Sequence, residues 1–217
     1  MTRTSNQLRI TEVFYSLQGE STTVGLPTVF VRLTGCPLRC QYCDTAYAFS
    51  GGELMDISRL LEKIKSFQCA YVCVTGGEPL AQPDCLILLK ELCDEGFKVS
   101  LETSGARDIT NVDSRVMIVM DLKTPGSGEC DKNLLSNLPH LKQTDQIKFV
   151  LCSREDYDWA CQLMTQYQLN EQTQVLFSPS WTELTPTTLA DWIVKDRIDV
   201  RFQLQLHKIL WNDTPGR

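Results

Sequence analysis

Long apolar runs are absent from this 217-residue chain. None approaches the roughly 20 residues that a membrane-spanning helix needs, so no transmembrane segment is expected. Positive charge is scarce: 21 Lys and Arg against 27 Asp and Glu give a formal net charge of -6 and a pI of about 5.0. That argues against broad nucleic-acid binding, which requires a basic surface. The opening MTRTSNQLRI lacks the apolar stretch of a secretory signal, so a cytoplasmic location is expected, where structural disulfides are uncommon. Repeats, low-complexity tracts and linker-like stretches are missing. With 42% hydrophobic and 22% charged residues the composition is that of an ordinary soluble protein, and residues 1–217 are expected to form one domain. Histidine is nearly absent, with only His140 and His207.

Cysteine, by contrast, is plentiful, with ten residues. For seven of them (Cys69, Cys73, Cys85, Cys93, Cys130, Cys152 and Cys161), several in apolar surroundings, the plain reading is small buried hydrophobes with free thiols. Cys69 and Cys73 have C-x3-C spacing, but Ala70, Tyr71, Val72 and Val74 around them read as a buried strand rather than a second metal site. The remaining three, Cys36, Cys40 and Cys43 in GCPLRCQYC, are spaced C-x3-C-x2-C. Three thiolates cannot complete a four-cysteine cluster site, but they can hold three irons of a [4Fe–4S] cube and leave the fourth open to a ligand. Zinc with a distant fourth ligand is the alternative. Structural zinc usually shows two separated ligand pairs, and no second C-x2-C or paired histidine is present.

Periodicity predicts alternating strands and helices. Thr28–Leu33 reads as a strand ending at the cysteine loop. Ile57, Leu60, Leu61, Ile64 and Phe67 keep helical spacing behind a cap at Asp56. Tyr71–Thr75 is the next strand, then a helix between Pro83 and Gly96 with Leu86, Leu89 and Leu92 on one face. Lys98–Glu102, Val116–Leu122 and Gln146–Leu151 are strands. Ser153 and Asp156 open a helix carrying Tyr157, Ala160, Cys161, Met164 and Tyr167. Thr173–Phe177 and Asp199–Leu206 read as late strands, with a short helix opened by Thr185 and Pro186. This order implies a mostly parallel sheet, whose ligands gather at the carboxyl ends of its strands. Cys36, TGGEP (Thr75–Pro79), ETSG (Glu102–Gly105) and DLK (Asp121–Lys123) all fall at such ends. The two glycines of GGEP let backbone approach a ligand closely, and Glu78 beside them could receive an ammonium group.

C-x3-C-x-Tyr-C followed by GGEP resembles the radical S-adenosylmethionine superfamily. FYSLQGES (Phe14–Ser21), VFVRLTGCPLRCQYCDT (Val29–Thr45), VTGGEPL, ETSG, DLKTPGSG and LQLHK (Leu204–Lys208) together resemble its 7-carboxy-7-deazaguanine synthase family, over nearly the whole chain. The resemblance implies a partial (βα)6-type barrel with a mostly parallel curved sheet and some shortened helices. It implies one [4Fe–4S] cluster on Cys36, Cys40 and Cys43, with S-adenosylmethionine on the open iron as source of a 5′-deoxyadenosyl radical. Tyr42, Gly77, Glu78, Ser104, Asp121, Leu122, Lys123 and Ser178-Pro179-Ser180 would contact S-adenosylmethionine. The substrate would be 6-carboxy-5,6,7,8-tetrahydropterin, losing the C6 hydrogen to the radical, with ring contraction and loss of ammonia. Leu17, Gln18, Gly19 and Thr75 would touch the pterin, and Arg32 its carboxylate, unless Arg32 is an inward charge paired with an acid. Thr45 would ligate Mg2+ through its hydroxyl; without the family, Asp44-Thr45 reads as a helix cap. Glu20 and His207 are the groups placed for proton transfer. A flavodoxin or ferredoxin would supply electrons, and a homodimer is expected, with neither nucleic acid nor membrane as partner.

Two departures stand out. The chain continues ILWNDTPGR beyond LQLHK, and the interval from Gly105 to Val116 is short for a helix. A glycyl-radical-enzyme activating enzyme would share the cysteine spacing but not LQGE or Q-x-H-K. A metal-stabilised binding or electron-transfer module would leave GGEP, ETSG and DLK without a task.

Overall fold

A computed structural model describes residues 6–212, 214 and 216. The chain opens with β1 (Gln7–Leu17) and β2 (Pro27–Leu33), an antiparallel pair, and β3 (Glu53–Asp56) returns antiparallel along the other side of β1. Then follow α1 (Ile57–Ser66), β4 (Tyr71–Gly76), α2 (Cys85–Asp94), β5 (Lys98–Thr103), β6 (Met117–Asp121) and β7 (Gln146–Leu151). The rest is α3 (Arg154–Tyr167), a short α4 (Leu169–Gln172), β8 (Gln174–Pro179), α5 (Pro186–Asp196), β9 (Arg201–Phe202) and α6 (Leu206–Trp211). All strands join one open sheet in the order β3-β1-β2-β4-β5-β6-β7-β8-β9, parallel from β2 onward. This is the expected open, mostly parallel α/β architecture with missing and shortened helices. No helix links β5 to β6, and only 3-10 turns link β6 to β7. Among the described residues no helix is long and apolar enough to cross a membrane.

Strand alternation divides the sheet into two faces. Val29, Val31 and Leu33, then Val72 and Val74, Val99 and Leu101 pack with α1 and α2 side chains such as Leu60, Ile64, Leu88 and Leu92. Further along, Ile118, Met120, Ile147, Phe149, Val175 and Phe177 pack with Tyr157, Ala160 and Leu189 of α3 and α5. Each such side chain contributes about 1.5–3 kcal/mol when fully buried. The alternate positions point the other way and carry the polar Arg32, Thr75, Glu102, Asp121, Lys148 and Ser178 beside Phe30, Val119 and Val150. Register aligns them, with Arg32 beside Thr75, Asp121 beside Lys148 and Val150 beside Ser178. A one-residue slip would send these charges into the apolar layer, so the register is strongly set.

Several expectations need correction. β1 and β3 carry no strong sequence signal, so Cys36 follows the second strand, not the first. Asp56 precedes α1 but does not cap it; its carboxylate accepts from Gln7 Nε2 at 2.9 Å. Leu86 is only half-buried, and α2 turns Cys85, Leu88, Leu89, Leu92 and Cys93 inward. Asp199–Leu206 is not one strand: only Arg201–Phe202 pairs, and Leu206 starts α6. Gln203 instead bonds the LQGES turn, accepting from Ser21 N at 2.6 Å, while Leu206 N donates to Gly19 O at 3.0 Å. The caps at Ser153 and Thr185 form as expected, each accepting from a backbone N–H three residues on.

Candidate functional site

A cavity of about 690 Å³ opens at the carboxyl ends of the parallel strands. One side is the cysteine loop. Cys36, Cys40 and Cys43 carry free, partly exposed thiols that line it. Gly35, at φ 99°, starts the loop; its N–H donates to Ala48 O, and its carbonyl accepts from Glu78 N, both at 2.8 Å. Arg39 Nη1 clamps the turn by donating to the carbonyls of Cys36 and Leu38 at 2.8 and 2.6 Å. Burial pushes the Cys40 thiol up to about 11 and the Cys36 thiol in the same direction. Such thiols are poor free nucleophiles, whereas metal binding deprotonates a thiol outright. Among the described residues no three Cys, His, Asp or Glu side chains converge on a single ion.

The GGEP turn lies against this loop. A β-carbon on Gly77 would fall 2.3 Å from Gly35 O and 2.7 Å from the Cys36 β-carbon, so only glycine allows the approach. Gly76, at φ 148°, leaves similarly little room against the Leu33 backbone. Two polar atoms of cavity-lining residues are buried without a partner: the Tyr42 hydroxyl and Asp121 Oδ1. Buried polar atoms are normally satisfied, so these two fit a bound polar molecule. Lys123 lies 5.9 Å from the Tyr42 ring centroid and pairs with Asp121 at 2.9 Å.

The other side is built from charge pairs. Arg32 Nε donates to Glu12 Oε1 at 2.7 Å, and the Tyr47 hydroxyl donates to the same oxygen at 2.8 Å. Arg32 is thus the inward charge paired with an acid, and it lines the cavity as well. Glu102 accepts from Thr75 Oγ1 at 2.9 Å and Gln18 Nε2 at 3.3 Å. Glu20 accepts from Lys148 Nζ at 2.6 Å and Gln205 Nε2 at 2.9 Å. Gln205 also donates to Asp44 at 3.1 Å, and Lys208 pairs with Asp44 at 3.3 Å, tying the C-terminal segment to the cysteine loop. Gly19 packs on His207: a β-carbon there would sit 2.3 Å from His207 Nδ1. Thr45 caps nothing with its side chain, and its hydroxyl is 3.8 Å from Cys43 Sγ.

Leu17, Gln18, Gly19, Glu20, Arg32, Tyr42, Thr45, Thr75, Gly77, Ser104, Asp121, Lys123, Ser178, Ser180 and His207 therefore share the cavity with the three cysteines. Glu78, Leu122 and Pro179 do not line it. Leu122 lies in the apolar layer. Glu78 is fully buried and accepts from Leu80 N, Thr103 Oγ1, and Ser104 N and Oγ, locking the GGEP turn to the end of β5. Glu78→Gln puts an amide N–H2 among these donors. It is expected to cost roughly 2–3 kcal/mol, lowering Tm by about 4–12 °C in a melting experiment. Glu12, Tyr47, Lys148 and Gln205 were not anticipated, and Glu102 was anticipated only as part of ETSG at a strand end. For Lys148, strict alternation along QIKFVL was the available signal.

A family model for the radical SAM superfamily matches residues 30–120, which hold the cysteine loop, GGEP and ETSG. Fold and site thus define a radical S-adenosylmethionine protein, a class that implies a [4Fe–4S] cluster and S-adenosylmethionine. The 7-carboxy-7-deazaguanine synthase of Chlorobaculum tepidum is 41% identical over 96% of both chains. That of Thermoplasma acidophilum is 39% identical over 95% of this chain and 99% of its own. The crystal structure of QueE from Escherichia coli superposes with a TM-score of 0.75 at 24% identity, covering 93% of this chain and 95% of that one. The chain belongs to the 7-carboxy-7-deazaguanine synthase family.

Proposed function

We propose that the protein converts 6-carboxy-5,6,7,8-tetrahydropterin to 7-carboxy-7-deazaguanine in the making of queuosine and related 7-deazapurines. The observation that carries the reading is that Arg32, Glu102 and Lys148 from the strands and Glu20 from the LQGES turn look into the same cavity as the cysteine loop. Substrate and product differ by one ammonia, so the conversion needs no net oxidant. The cluster with S-adenosylmethionine would supply hydrogen-atom abstraction at C6. Cys36, Cys40 and Cys43 would hold the cluster, and the Gly77 backbone with Tyr42, Ser104, Asp121 and Lys123 would seat S-adenosylmethionine.

Arg32 would hold the pterin carboxylate, kept in place by Glu12 at one nitrogen and flanked by the Phe14 and Tyr47 rings. Glu102 and Glu20 would accept from the ring N–H groups, with Gln18 and Thr75 fixing Glu102. His207, which packs against Gly19, would pass a proton. The Thr45 hydroxyl would ligate Mg2+, an oxygen-seeking ion suited to a carboxylated substrate. An electron donor of the flavodoxin or ferredoxin kind and a homodimer belong to the same proposal.

Arg32→Met is expected to remove a charge-assisted bond worth about 1.5–3 kcal/mol, a roughly 10- to 100-fold fall in kcat/KM for the pterin carried mostly by KM. The proposal is tested by competition: the carboxylated pterin should protect the cavity and turn over, and the same pterin without its carboxylate should do neither. Equal handling of both would overturn it.

A further inference from the structure

Lys148 lines the cavity, and its own part in the chemistry is unassigned. Lys148 on β7 stands in register with Asp121 on β6, its side chain only 12% exposed. Its ammonium lies 2.6 Å from Glu20 Oε2 and 3.6 Å from Asp121 Oδ2, and Asp121 pairs onward with Lys123 at 2.9 Å. Four charges therefore alternate from the LQGE turn to the DLK segment. Glu20 is also held from the C-terminal side: Gln205 Nε2 donates to Oε1 at 2.9 Å and Gln203 Nε2 to Oε2 at 3.3 Å. Both oxygens are fixed.

We infer that Lys148 is a positioning residue that holds Glu20 as an oriented carboxylate, so that Glu20 meets the substrate only as a hydrogen-bond acceptor. The inference rests on the pterin reading, because the pterin ring edge offers N–H donors that such an acceptor suits. The charged groups facing Glu20 are Lys148 on β7 and His207 on α6, with Asp121 and Glu102 acting on it through Lys148. Burial, the largest single effect, opposes charge on Glu20; the Lys148 ammonium with its hydrogen bond, helped by Gln205 and His207, holds the carboxyl at about 2, below its ordinary 4.5. Without the ammonium, burial is opposed only by the Gln205 hydrogen bond and by His207, so the carboxyl moves upward and Glu20 is expected to gain a proton in an ordinary assay range. A protonated Glu20 would turn a donor toward the ring N–H.

The test uses cluster-loaded full-length protein carrying Lys148→Met or Lys148→Arg. The Glu20 side-chain carboxyl, assigned in 13C spectra by its loss in Glu20→Gln, is titrated without substrate between about pH 4 and 8. Wild type and Lys148→Arg should show no titration in that window. Lys148→Met should titrate within it, and its kcat/KM for the pterin should be about tenfold or more lower at the acid end than at the alkaline end. Should Lys148→Met not fold, Lys148→Gln is read in the same way. A folded, uncharged variant whose Glu20 stays silent overturns the inference, as does a uniform loss of activity at every pH. The titration needs no turnover, so expected spectra from a wild type that makes no product would count against the substrate reading alone.

Discussion

Cys40→Ala is expected to leave a folded protein with no intact [4Fe–4S] cluster and no cleavage of S-adenosylmethionine. The Cys40 thiol is partly exposed and makes no hydrogen bond among the described residues; only its carbonyl is used, by Cys43 N at 3.2 Å. Losing the sulfur should therefore cost the fold under about 1 kcal/mol. The chemistry should fall by a thousandfold or more, about 4 kcal/mol of barrier, because the cofactor does the difficult step. Iron content, the visible absorption of the reconstituted protein and 5′-deoxyadenosine release under dithionite measure this together. A variant that melts like wild type yet still releases 5′-deoxyadenosine at the wild-type rate would remove Cys40 from the cluster.

Gly77→Ala should be nearly as damaging for a different reason. Its β-carbon would meet Gly35 O at 2.3 Å, the Gly35 carbonyl carbon at 2.7 Å and the Cys36 β-carbon at 2.7 Å. None is the yielding end of a long side chain, so the cysteine loop itself must move. A displacement of about 1 Å at a reacting centre costs on the order of a hundredfold in rate. The expected result is a folded protein with reduced cluster loading and a roughly hundredfold fall in 5′-deoxyadenosine formation. Gly96→Ala is the control: at φ 85° with nothing within 4 Å of its β-carbon, it should cost about 1–3 kcal/mol of stability and leave the rate per cluster unchanged. If both variants lost only stability, the close contact between GGEP and the cysteine loop would have no catalytic role.

Much of this was legible in the residues because close backbone approach and metal ligation leave marks in sequence. The C-x3-C-x2-C spacing marks a loop, paired glycines mark a turn where backbone meets backbone, and β-branched runs mark the parallel strands. Side-chain destinations were less legible. Glu78 reads as a ligand for an ammonium group because of its neighbours, yet four donors from β5 and its own turn claim it. Asp199–Leu206 looks like strand, but Gln203, Gln205 and Leu206 are committed to the LQGES turn, a contact more than 180 residues away in sequence. Lys148 sits between two large apolar residues and reads as an incidental charge, until the register with Asp121 shows which face it takes. β1 and β3 were missed because these antiparallel strands at one end of the sheet, β3 at its edge and β1 beside it, are half-solvated and carry mixed composition instead of an apolar run.

The most direct test is anaerobic turnover by the cluster-loaded protein with S-adenosylmethionine, reductant, Mg2+ and 6-carboxy-5,6,7,8-tetrahydropterin. The expected result is 7-carboxy-7-deazaguanine and ammonia in equal amounts, with far less S-adenosylmethionine consumed than product formed. A protein that cleaves S-adenosylmethionine but returns the pterin unchanged would contradict the account.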